Sequence, residues 1–396
     1  VVSSALPLFE LSEYLTEVLV RHPEEVATLA EIGVAAPAWT SGKLFNLAGE
    51  DVFAGQDPVF AYVVNSTSAH AEKVAMLRRH FGHRIFASGA RDVTECRPVY
   101  SSLTETTAAA EGAISAAFGM TGSPPGLAVI ALGRLGSREF DVLSDADLIF
   151  VGDENHDRED LTHAAEELMQ LLSAYTQDGL VFPVDARLRP RGAEGELLVT
   201  PTQLETYFAN EAQPWEVLMY TKFRFIAGDA HVARRAETAV EALFQRFAGD
   251  AKFAEAVREM RHRLELASAP ERSIRTAPGA LYDPDFLSGF LLVANGIRPK
   301  SGTLRDRLWR CAAAGVLEKQ QAATLDHAAE LFRTVEHVLR LVIGRNARWL
   351  PSAEHPRYAV KTLTSQILRR DFPQGLEQEL LRAFTSVRDI YDRVVK

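Results

Sequence analysis

The apolar positions of the chain follow helical spacing at both ends and strand-like spacing in the middle. After Ser12, a residue type that caps helices, Leu15, Val18 and Leu19 recur at helical intervals until Pro23 interrupts them. Helical pieces continue to about Phe118, and Thr121-Gly-Ser-Pro-Pro-Gly126 then breaks the pattern as a linker would. Leu127 to Leu132 is an unbroken apolar run of strand length. Asp145 to Val151 alternates, with Asp145, Asp147, Ile149 and Val151 on one face and Ala146, Leu148 and Phe150 on the other. Leu161, Ala165, Leu168, Leu172 and Tyr175 are spaced four, three, four and three apart, which predicts a helix. A further strand is predicted from about Leu180 to Leu188, and Gly192 and Gly195 mark a turn before Leu197-Leu-Val199. Beyond Gly228 the pattern is helical again. Phe253, Val257, Met260 and Leu264 make one stripe, and Leu325, Ala329, Phe332, Leu339 and Val342 a longer one. Both read as core faces, with a loop from Ser268 to Ala280 between them.

The expected fold class is α+β, a mixed-sheet domain flanked by helical regions. Its expected blocks are a helical region over 1–118, a sheet domain over 119–230 and a helical domain over 231–396. The 396 residues suffice for two or three domains. Net charge is −10, whereas a protein whose main task is to hold nucleic acid is usually basic. The balance favours a small-molecule or protein substrate. Two distant cysteines, Cys96 and Cys311, exclude a disulfide framework and a cysteine-rich zinc site, and fit a reducing cytoplasm. No run approaches the roughly 18 apolar residues that would span a bilayer, and no signal peptide is visible. The chain opens with Val1-Val2 rather than Met, and reads as a processed chain or a piece of something longer.

The chemistry concentrates between Leu127 and Leu188. Asp145 and Asp147 stand two apart on a predicted strand and project from one face. Such carboxylates repel each other and raise each other's pKa unless a cation lies between them. Mg²⁺ takes hard oxygen ligands and shares its shell with substrate phosphates. Asp185, on another predicted strand, would complete a three-carboxylate cluster able to hold two metals for an in-line phosphoryl displacement. Gly136 and Ser137 follow the first strand, where glycine lets backbone approach a phosphate and the hydroxyl can donate to it. Arg187 and Arg189 share strand parity with Asp185 and could balance triphosphate charge. An isolated Asp-x-Asp pair is common on solvated strand ends. The ordered series of strand, Gly-Ser, Asp-x-Asp on a strand, helix, and a strand with a third Asp is the nucleotidyltransferase signature.

Narrower wording resembles glutamine synthetase adenylyltransferase. Its two catalytic halves carry Gly-Lys-Leu-Gly-Gly…Ser-Asp-x-Asp-Leu, and here Gly133-Arg-Leu-Gly-Ser137…Ser144-Asp-Ala-Asp-Leu148 stands in that place. Val184-Asp-Ala-Arg-Leu-Arg-Pro-Arg-Gly192 is similar to the family's Asp-x-Arg-Leu-Arg-Pro-x-Gly. Trp215-Glu216, and Lys222-Phe-Arg224 with Gly228-Asp229, resemble its Trp-Glu and Lys-x-Arg blocks. Leu19-Val-Arg-His-Pro23, Leu77-Arg-Arg79 and Arg91-Asp92 are similar to the helical lead-in. Arg275 to Phe286 is similar to Lys-x-x-x-Gly-Gly-x-x-Asp-Ile-Glu-Phe, and Val335-Glu-His-Val-Leu-Arg340 to the helix after it. The likeness covers nearly the whole chain as one catalytic half. Arg134 and Arg275 replace lysines, Ser137 and Ala280 replace glycines, and Pro284-Asp285 replaces Ile-Glu.

The resemblance implies a Mg²⁺-dependent enzyme with Asp145, Asp147 and Asp185 as metal ligands and catalytic residues. Gly136, Ser137, Arg187, Arg189 and Lys222 would bind the nucleotide. It implies ATP, or phosphate and ADP, as substrate and product, glutamine synthetase as protein substrate, and a PII-type nitrogen signal protein as a further partner. One half of the family attaches AMP to a tyrosine and the other removes it by phosphorolysis, and the shared carboxylate motif does not say which half stands here. Two other readings are a non-catalytic nucleotide- or signal-binding module and, against the acidic composition, a nucleic-acid-directed transferase. Asp283 and Asp285 are expected at the site's rim or as helix caps. Lys222 and Arg224 would meet a triphosphate or acidic partner, or lie on the surface. Glu336-His337 reads as structural. His80 and His83 have a spacing that helical metal sites use but lack further ligands nearby. Arg78, Arg79, Arg84 and Arg91 read as a solvated face or helix-packing ion pairs.

Overall fold

A computed structural model describes residues 1–32, 57–268 and 272–396. The expectations of helical segments over 33–56 and of a loop through 269–271 lie outside these residues. The chain forms two compact units. One takes its described residues from Val1–Ala36, Phe86–Ser102 and Phe247–Lys396, and the other from Pro37–Ile85 and Leu103–Arg246. Two of its boundaries fall inside the long helices His70–Glu95 and Val99–Met120, and a third at the end of Ala230–Phe247, so the units are not consecutive blocks.

The second unit holds the sheet. Strands β1 (Leu127–Ala131), β2 (Ala146–Gly152), β3 (Val184–Asp185), β4 (Leu198–Val199) and β5 (Arg224–Gly228) form it in the order β3-β2-β1-β5, with β4 also on β2. β1 runs antiparallel to β2, from Leu127↔Gly152 to Ala131↔Leu148, and antiparallel to β5 with a register shift between Val129 and Ile130. β3 and β4 pair with β2 in parallel, Asp147 facing Asp185 and Phe150 facing Leu198. Every residue of β1 is buried, as a strand covered on both faces requires. The mixed sheet with helices around it is the α+β class that the apolar pattern predicts.

Local chemistry explains most element ends. The linker over Thr121 to Gly126 separates the helix ending at Met120 from β1. Asp157 caps the helix Arg158–Ser173 by accepting from the Glu159 and Asp160 N–H groups, and that helix buries Leu161, Ala165, Leu168 and Leu172. It stops before Tyr175, which lies outside it and is 78% exposed, because the chain turns through a Thr176–Gly179 bridge with Gly179 at positive φ. The strand expected over Leu180 to Leu188 is reduced to β3. Pro183 precedes it, and beyond it the Arg187 N–H turns back onto the Asp185 carboxylate.

The first unit is helical. Ser12 caps the helix Glu13–Arg21 by accepting from the Leu15 N–H, and Pro23 opens the turn that follows. The helix Lys319–Ile343 buries Leu325, Ala329, Phe332, Leu339 and Val342, and packs against Glu13–Arg21, Leu304–Ala313, Glu354–Leu368 and Leu376–Val394. Phe253 and Val257 are fully buried, while Met260 and Leu264 are only half-buried. Among the described residues no helix is long and apolar enough to cross a membrane.

Candidate active site

The carboxylates meet at the parallel pairing of β2 with β3. Asp147 is the second residue of β2 and stands in register with Asp185, the last residue of β3. Asp145 lies one residue ahead of β2, exposed, in the loop that leads into it. Burial raises Asp147 most, and the charges of Asp145 and Asp185 raise it further. Lys222 and Arg187 oppose them, and the carboxyl is pushed up to about 7. Asp185 is held below the usual carboxylate range, first by its hydrogen bonds from Arg187. Nε of Arg187 donates to Oδ1 at 2.9 Å and Oδ2 at 3.0 Å, and Nη2 donates to Oδ2 at 2.5 Å. The structure thus brings together five of the expected residues: Asp145, Asp147, Asp185, Arg187 and Lys222.

The remaining three have different surroundings. Arg189 is tied to its own loop, donating to the carbonyls of Ala186 (2.7 Å), Gly195 (3.0 Å) and Ala193 (3.2 Å), and its charge is still felt at Asp185. Gly136 donates its N–H to Leu132 O, and Ser137, 2% exposed, turns its N–H to Gly133 O and its hydroxyl to Arg134 O. Both N–H groups of the Gly-Ser step are therefore used inside the chain. A Cβ at Gly136 would overlap the Lys222 carbonyl, so this glycine allows the close approach of the segment that carries Lys222.

Gly133 is the glycine at the carboxylates, and spacing alone does not single it out. It has φ +51°, and a Cβ there would overlap Oδ2 of Asp147. The one-turn helix Gly133–Gly136 that follows it is held by Arg224, the first residue of β5. Arg224 donates to Leu135 O (2.5 Å) and Gly136 O (3.2 Å), and pairs with Glu111 at 2.5 Å in the buried interior. The Lys-x-Arg wording has a physical reading here: the charge of Lys222 acts on Asp147, and Arg224 braces the turn beside it. Glu216 likewise holds scaffold, accepting from Tyr207 OH (2.8 Å) and Gln213 N–H (2.7 Å). Asp229 accepts from the Gly126 and His231 N–H groups and so ties the ends of β1 and β5.

Several charged residues prove structural. Asp283 is fully buried between Arg261 (2.5 Å) and Arg388 (3.4 Å) and accepts from the Gly279 N–H, which corrects its expected place on a rim. Such burial is tolerable only because the carboxylate is paired. Asp285 pairs with Arg307. Gly279 supplies the positive φ in this block, and Ala280 is not strained. Glu336 pairs with Arg275 and Arg333, while His337 meets Asp92 at 3.2 Å, as a structural pair would. His80 bonds Asp57 at 2.9 Å beside Arg84. Arg78 donates to Leu171 O and Ala174 O, and Arg79 to Asp178. These cations pack helices.

A metal ion suits the donor chemistry of the site. Asp147 and Asp185 lie side by side on adjacent strands with Asp145 in the loop just ahead, and their mutual repulsion is what a divalent cation relieves. The expected cluster is nevertheless not preassembled. Among the described residues no group of three or more His, Cys, Asp or Glu side chains is arranged to hold a metal. Asp185 has both oxygens engaged by Arg187.

Comparison with known proteins divides the chain at nearly one point. The family model of glutamate-ammonia ligase adenylyltransferase matches residues 3–239, and that of GlnD PII-uridylyltransferase matches residues 250–395. The bifunctional glutamine synthetase adenylyltransferase/adenylyl-removing enzyme of Streptomyces avermitilis is 30% identical over 82% of this chain and 34% of its own length. The enzyme of that name from Streptomyces coelicolor is 31% identical over 68% of this chain and 28% of its own. The one from Mycobacterium avium is 34% identical over 59% and 23%. The chain spans about a third of these relatives or less. The chain belongs to the glutamate-ammonia ligase adenylyltransferase family, a family of nucleotidyltransferases.

Proposed function

We propose that this chain is a Mg²⁺-dependent adenylyltransferase that moves AMP from ATP to a tyrosine of glutamine synthetase, with residues 119–230 as its catalytic domain. The observation that carries the reading is the Asp147–Asp185 register with Asp145 close by, where burial first and the two like charges after it raise Asp147 to about 7. A non-catalytic module has no use for such repulsion. Asp145, Asp147 and Asp185 would hold Mg²⁺, which when bound would neutralise phosphate charge and help align the displacement.

The chain's own residues account for the rest. Lys222 and Arg187, whose charges reach Asp147, would balance the triphosphate, with Arg189 set behind them in its loop. Gly136 and Ser137 would serve the phosphate site by holding the turn beside Gly133. In the reaction the tyrosine oxygen bonds to the α-phosphorus, and the bond from that phosphorus to its bridging oxygen breaks. Pyrophosphate leaves with the electron pair, and a carboxylate oxygen of Asp185 takes the phenolic proton. Asp185 can do so only after Arg187 has released it.

The reverse reading, phosphorolysis of AMP-tyrosine to ADP, stands beside it because the relatives' names join both activities. The match of residues 250–395 to a PII-uridylyltransferase model supports reading the helical unit as the place where a PII-type signal protein acts. One experiment separates the directions: mass spectrometry of unmodified and AMP-loaded glutamine synthetase incubated with the protein, Mg²⁺, ATP or phosphate. An adduct of AMP on tyrosine establishes transfer. Its phosphate-dependent loss with release of ADP establishes removal. No change in either direction, in the presence of Mg²⁺, would overturn both.

A further inference from the structure

We infer that Arg187 is a latch on Asp185, holding the third carboxylate until nucleotide phosphates draw it away, so that divalent cation binding depends on nucleotide. The inference rests on the metal-dependent reading of this site and says in what order the site fills. Arg187 covers both oxygens of Asp185 with a two-pronged contact, and its own backbone N–H adds a third tie to Oδ1 at 2.8 Å. The guanidinium therefore occupies the acceptor positions that a cation shared with Asp147 would need. Among the described residues its side chain hydrogen-bonds to nothing except Asp185, and it is 73% exposed against 17% for its partner.

The contrast with Arg189 gives the inference its direction. Three loop carbonyls anchor Arg189, so of the two arginines only Arg187 can leave its place without breaking the loop. A guanidinium fork fits a phosphate as well as it fits a carboxylate. Nucleotide phosphates offer Arg187 an exchange of partners, and the freed Asp185 oxygens, in register with Asp147, then become cation ligands. An ion pair this exposed biases an equilibrium by about fivefold, which is enough to disfavour metal on its own and weak enough for a triphosphate to overcome. Arg187 is on this account a positioning residue with opposite effects on the two ligands, whereas a mere charge-balancing residue would affect them without need of its fork.

The test is Mn²⁺ binding to the whole chain, followed by electron paramagnetic resonance with and without a non-hydrolysable ATP analogue. Without nucleotide, Arg187→Gln is expected to tighten Mn²⁺ binding about fivefold. Arg187→Lys, which keeps the charge but loses the fork, is expected to tighten it too. Asp185→Asn is expected to make Arg187→Gln silent, and the analogue to close the gap between wild type and Arg187→Gln while binding more weakly to the variant. Unchanged or weaker Mn²⁺ binding in Arg187→Gln would overturn the latch, as would Arg187→Lys behaving as wild type. Mn²⁺ binding that is absent from every form, even with the analogue, would sink the metal-dependent reading and the latch together.

Discussion

Burial and two neighbouring carboxylates move Asp147 from its ordinary 3.8 to about 7, so the folded chain keeps a proton that the unfolded chain gives up. Stability drawn from this group is complete below about pH 4 and is lost as pH rises to about 7. Asp147→Asn has no charge to bury. In metal-free buffer it is expected to gain on wild type across that window, by up to about 4 kcal/mol at its upper end, while losing metal-dependent turnover. Urea unfolding of both proteins at several pH values checks this, and a difference that stays flat with pH would contradict it. Gly133 makes the same carboxylate sensitive to the backbone beside it. Gly133→Ala places a methyl on Oδ2 of Asp147 at φ +51°. It is expected to cost roughly 1–3 kcal/mol of stability and at least about tenfold in turnover. Gly136→Ala strikes the Lys222 carbonyl, which is backbone and cannot swing aside, so its loss in denaturant unfolding should be the larger of the two.

At the scale of elements, the brace between β5 and the one-turn helix invites the next prediction. Arg224→Ala leaves Glu111, 3% exposed, without its guanidinium, and frees two carbonyls of the turn beside the carboxylates. Removing one partner of a buried pair costs about 3–5 kcal/mol. With Lys222 only two residues away, nucleotide KM should rise as well; a variant with wild-type stability and KM would refute the bracing role. This brace also marks where the sequence ceased to be readable. β1, β2 and the helix Arg158–Ser173 were legible because their apolar positions repeat with a clear period and carry their own breaks and caps. β5 was not, because Arg224-Phe-Ile-Ala-Gly228 opens on a cation whose partner Glu111 is distant in sequence. β3 was overextended because Asp185 and Arg187 share parity on paper, whereas in the fold Arg187 turns back onto Asp185 after a two-residue strand. Five expected residues do converge, Asp147 and Asp185 because their strands pair in register, Arg187 by its turn back onto Asp185, and Lys222 in the place its Lys-x-Arg wording implies. The part played by Gly133 depends on φ and on a cross-strand neighbour, and neither can be seen in a string of letters.

For the whole molecule the question is how many centres the chain carries. The relatives' names couple attachment and removal, yet Ser-Asp-x-Asp-Leu occurs once in this sequence. A second Asp-x-Asp, Asp283-Pro-Asp285, lies in the helical unit. There Asp283 is fully buried against Arg261, and Asp285 pairs with Arg307. Those carboxylates are neutralised by protein cations in the interior, whereas Asp145 and Asp147 are gathered where burial and repulsion leave a cation something to do. The two pairs should therefore answer substitution differently. Asp145→Ala is expected to abolish nucleotidyl transfer in whichever direction the chain runs it, by at least about a hundredfold, with unfolding unchanged. Asp283→Ala leaves buried Arg261 with only its longer contact to Glu265 at 3.4 Å, and is expected to cost about 3 kcal/mol in the helical unit. Measuring both variants for unfolding and for turnover per folded molecule decides the matter. Activity that survived Asp145→Ala would mean a second centre elsewhere in the chain, and a stable but inactive Asp283→Ala would move that carboxylate from structure into the chemistry.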